Sequence, residues 1–72
     1  MFALRAPTMN RVARRIEVAL RSLDLGIPES AYSTDFLGTV NKGLRQLGLP
    51  ILNDLENPSA MMVTAIRLEA LV

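Results

Sequence analysis

Seventy-two residues allow one domain at most, and a chain this short buries too little surface to be more than marginally stable alone. It has no cysteine and no histidine, which excludes disulfides, thiolate and imidazole metal sites, and every catalytic group built on either side chain. The net charge of +1 is too small to signal a nucleic-acid or membrane partner. Half of the residues are apolar, yet only Phe2, Tyr32 and Phe36 are aromatic. An aliphatic core with few β-branched runs favours helices over sheets.

The opening "MFALRAPTMNRVARR" carries four arginines and no acid. Its composition is that of a mitochondrial transit peptide, but the simpler expectation is a flexible arm over residues 1–7 followed by a basic helix. On that reading the protein is cytoplasmic, with a mitochondrial location as the alternative. From Thr8, an expected N-cap, apolar residues recur at Met9, Val12, Ala13, Ile16, Ala19, Leu20 and Leu23. That spacing draws one apolar stripe and predicts a helix over residues 9–25, stopped by Gly26 at C′ and by Pro28.

A second helix is predicted over 33–47, capped by Ser33 or Thr34, with Asp35 favouring the positive end of the helix dipole. With Ser33 as cap, Tyr32 and Leu37 occupy the hydrophobic-staple positions. Phe36, Leu37, Val40, Leu44 and Leu47 make its stripe. Gly43 borders that stripe, where a missing side chain lets another helix approach closely. Gly48 and Pro50 end the helix, with Leu49 placed to touch Leu44 in a Schellman-type stop. The stop "LGIP" of residues 25–28 thus recurs as "LGLP" at 47–50.

Residues 50–56, "PILNDLE", are expected to form a short helix with Ile51, Leu52 and Leu55 inward. Asn57 then caps, and Pro58 opens, a last helix over 58–72. On a helical wheel Met61, Ala65, Leu68 and Val72 make one apolar stripe, and Met62, Val63, Ile66 and Ala70 a second. Glu69 divides the stripes on one side, Thr64 with Arg67 on the other. A helix apolar on two faces is either central in a bundle or covered by its own chain and by a partner.

Catalytic chemistry is not expected. Eight serines and threonines have no histidine base, and no glycine-rich phosphate loop is present. The densest acidic group, Asp54 and Glu56 with Asn53 and Asn57, lacks the ligand spacing and turn glycine of a calcium loop, so neither metal nor cofactor is expected.

The sequence therefore predicts an all-α fold: a single helical domain over 1–72, with the first two helices packed on one face of the last. The expected function is non-catalytic protein–protein contact, either self-association or docking as a regulator, inhibitor or structural subunit on a larger partner. Its expected contacts are Met61, Leu68, Leu71 and Val72, with Arg14, Val18 and Arg21 as a secondary patch. One alternative is a nucleic-acid-binding regulator using Arg11, Arg14, Arg15 and Arg21, or a helix-turn-helix around Gly48. Against it, Asp54 and Glu56 would lie on the reading helix. Another alternative is a membrane-surface helix over residues 1–25, anchored by Phe2 and Leu4.

Overall fold

A computed structural model describes the backbone of residues 5–72 and the side chains of residues 11–72. The fold is all-α, as the periodicity predicts: α1 Arg5–Ser22, α2 Ala31–Thr34, α3 Phe36–Gln46 and α4 Pro58–Glu69. Residues 1–4 of the expected arm, including Phe2 and Leu4, lie outside the described residues.

Helix α1 starts four residues earlier than predicted and takes in Thr8, so Thr8 is not its cap. Pro7 is compatible with this start, because the first-turn N–H groups of a helix have no acceptor to lose. The predicted stripe is the buried one: Val12, Ile16, Ala19 and Leu20 are in the core, with Ala13 and Leu23 half-buried beside them. The helix stops at Ser22, not at residue 25. Gly26 is left-handed as expected (φ 75°), but Asp24 takes that conformation two residues earlier (φ 54°), and its N–H donates to the Arg21 carbonyl at 3.3 Å. Aspartate tolerates that region better than most residues, so the chain turns before it reaches Gly26.

The predicted helix over 33–47 is two helices, broken at Asp35 (φ −150°, ψ 86°). The Asp35 carboxylate accepts the Gly38 N–H at 3.0 Å and caps α3. The Ser33 and Thr34 hydroxyls cap nothing; both donate to the Ser30 carbonyl behind them. With the cap moved to Asp35, the staple pair Tyr32–Leu37 loses its register. Tyr32 packs instead against Phe36, ring centroids 6.3 Å apart and tilted by 54°. Thr39 ties the two helices together by donating to the Ala31 carbonyl at 2.9 Å. At its far end α3 finishes as predicted. Gly48 (φ 72°) donates to the Arg45 carbonyl and the Leu49 N–H to that of Leu44, the paired bonds of a Schellman stop.

No helix forms over 50–56. The chain there is held out of helical conformation by Asn41, a buried residue of α3. Its Nδ2 donates to the Leu52 carbonyl and its Oδ1 accepts the Leu52 N–H, both at 2.8 Å. The two bonds use the backbone groups of Leu52 that a helix would need for its own ladder. Leu52 itself is buried, while Ile51 is exposed. Asn57 caps α4 by accepting the Ala60 N–H at 3.1 Å, and Pro58 opens it, as predicted.

Helix α1, not the last helix, is the hub. It packs extensively along α4 and also meets α3. The core joins Ile16 and Leu20 of α1, Val40 and Leu44 of α3, and Met61, Ala65 and Leu68 of α4. Burying each of the larger aliphatic side chains stabilises by about 1.5–3 kcal/mol. Gly43 is buried where α3 meets the end of α1. A methyl group added there would lie 2.7 Å from a Leu20 methyl and 3.3 Å from one of Leu25.

Candidate functional site

Two of the expected contact residues, Met61 and Leu68, are 1% and 0% exposed and belong to the core. The wheel separates the two apolar stripes of α4 but does not say which one the rest of the chain covers. Helix α1 covers the stripe of Met61, Ala65 and Leu68. The second stripe is the open one: Val63 is 44% and Ile66 55% exposed, with Ala70 exposed one turn further on. These three follow i, i+3, i+7 spacing on the side of α4 opposite its core residues. Ile51, 46% exposed because residues 50–56 are not helical, faces Val63 across a groove of about 300 Å³. Val63 and Ile66 were legible as a stripe; Ile51 was concealed by the helix predicted around it.

Leu71 and Val72 are exposed, beyond the last turn of α4. The secondary patch divides. Arg14 and Val18 join Val72 around a second groove, between α1 and the segment following α4. Arg21 turns away from it toward Glu29 at 3.0 Å and Glu17 at 3.5 Å.

The arginines named for nucleic acid are likewise divided. Arg15 bridges α1 to α4, its Nε and an Nη donating to the two Glu69 carboxylate oxygens at 2.9 and 2.7 Å. A third donor reaches the Met62 Sδ at 3.3 Å. The hydrogen bonds from Arg15 hold the Glu69 carboxyl below the usual carboxylate range. What the pair contributes is therefore present at neutral pH and lost as pH falls through that lowered value, and solvent screening keeps it small. Arg11 and Arg14 remain exposed, and among the described residues neither forms an ion pair. The helix-turn-helix around Gly48 is absent, because the segment that would be its second helix is not helical.

Among the described residues no three acidic groups converge into a cation cage. Asp54 accepts the Glu56 N–H at 2.9 Å, and Asn57 serves as the α4 cap, so the polar run of 53–57 shapes its own loop. Tyr32 is buried, and desolvation pushes its phenol above the ordinary tyrosine range. No described helix is long and apolar enough to cross a membrane.

Fold and surface together define a small all-α bundle with exposed apolar side chains gathered in patches. No family model, curated protein or solved structure shows significant similarity to the chain.

Proposed function

We propose that this protein acts by binding protein, through the outward face of α4 centred on Val63 and Ile66 with Ile51 beside it. One observation supports the reading: α4 is apolar on two faces, and only one of them is covered by the chain. Covering Val63, Ile66 and Ile51 is favourable at about 25 cal/mol per Å² of apolar surface, and a marginally stable small domain benefits from it directly. Self-association is the first form to test, because a two-fold dimer would set the same apolar face of each copy against the other.

Sedimentation over micromolar to submillimolar concentrations tests it. The expected result is a concentration-dependent rise in mass that Ile66→Asp abolishes while leaving the helical circular dichroism intact. A monomer at every concentration, whose binding of an apolar dye is the same with and without Ile66→Asp, overturns the reading.

A further inference from the structure

The second groove differs in chemistry from the α4 face. Its volume is about 520 Å³. Val18, Ala19 and Val72 form its apolar floor, and Arg11, Arg14 and the Arg15–Glu69 pair its rim. Three guanidinium groups thus stand against one side-chain carboxylate, in a chain whose net charge is only +1. That carboxylate is already engaged by Arg15. Residues 1–16 contain no acid. Arg11, Arg14, Val18 and Ser22 run along α1 at helical spacing, a row of about 16 Å, the length of three helical turns.

We propose that this groove is a docking site for an acidic amphipathic helix of a second, different protein. Its apolar ridge lies on Val18 and Val72, and its flanking carboxylates meet Arg11 and Arg14. The inference rests on the reading that the chain binds protein, but on a separate surface. A second copy is not the occupant. Within the described helices, α1 carries one acid, Glu17, α4 carries one, Glu69, and α3 carries none, so no helix of this chain offers paired carboxylates. A membrane surface fits less well, since a planar bilayer takes a convex face and this site is concave. Nucleic acid fits less well because phosphates would lie over the exposed apolar floor.

The test uses the full chain and a fluorescent helix-forming peptide of about 14 residues, with one leucine stripe flanked by glutamates. Controls are the same peptide with lysine for each glutamate, a DNA duplex, and phosphatidylcholine vesicles containing phosphatidylserine. By anisotropy at low salt, the glutamate peptide is expected to bind at least about tenfold more tightly than the lysine peptide. R14E and V18D should each weaken it about tenfold, and I66D should leave it unchanged. Both substituted groove residues are exposed, so the fold should survive, which circular dichroism checks. Amide shift changes on the wild-type chain should centre on Val18, Ala19 and Ser22. Equal affinity for the two peptides, preference for duplex or vesicle, or indifference to R14E and V18D overturns the proposal. If these fail while Ile66→Asp still abolishes self-association, only the groove inference falls.

Discussion

The two connections flanking the α2–α3 pair carry nearly the same tetrapeptide, "LGIP" and "LGLP", yet they are held by different physics. After α1, Asp24 and then Gly26 are left-handed, and the connection returns to α3 by apolar packing. Leu25 and Ile27 close over Gly43, which has no side chain to keep them out. After α3, Gly48 makes the turn in a Schellman stop, and the connection returns by hydrogen bonds, Leu52 clamped at both backbone groups by Asn41. A local motif therefore specifies that the chain turns. The residue of α3 that faces each loop, Gly43 or Asn41, decides how it is held.

Substitutions can separate the two modes. The largest effect is expected at Asn41. Asn41→Ala removes two buried hydrogen bonds and orphans the Leu52 N–H and carbonyl, a loss of about 3 kcal/mol in urea unfolding. Increased amide exchange at residues 50–56 should accompany it. A loss below about 0.5 kcal/mol would mean the clamp is incidental. Next comes Gly43→Val, which raises helix propensity but crowds Leu20 and Leu25. Overpacking should win by about 2 kcal/mol, and a stabilised variant would disprove the close approach. Gly48→Ala should cost about 1 kcal/mol, because alanine is strained at φ 72° even though the site is open. The smallest effect, opposite in sign, is Asp24→Gly. It relieves a left-handed aspartate and should gain about 0.5 kcal/mol after the entropy that glycine adds to the unfolded chain. No gain there would show that the first stop depends on more than its backbone angle.

Much of the fold was legible in the sequence. The stripe from Val12 to Leu20 is the core face of α1, Gly48 and Leu49 end α3 as read, and Asn57-Pro58 begins α4. The misreadings share a cause. Residues 50–56 have a helical pattern, and Ser33 and Thr34 are good caps, but each competed with a non-local or side-chain partner that sequence spacing does not reveal. Asn41, eleven residues away, captured Leu52, and Asp35 took the cap while the hydroxyls bonded backward. The candidate surface was half legible: both stripes of α4 were visible, but not which one faced α1.

What the sequence by itself determined is local: helix-compatible spacing, the stop of α3 at Gly48, the cap at Asn57, and the presence of more apolar surface on α4 than one neighbour can cover. These depend on residues within a turn or two of one another, where i, i+3 and i, i+4 geometry is enough. Only the tertiary structure decided that α1 is the hub, that Met61 and Leu68 are core, that Val63 and Ile66 face outward, and that Arg14, Val18 and Val72 surround one groove. Those outcomes turn on the rotation of each helix about its own axis. That rotation is set by how the assembled side chains fill shared space, not by any single segment.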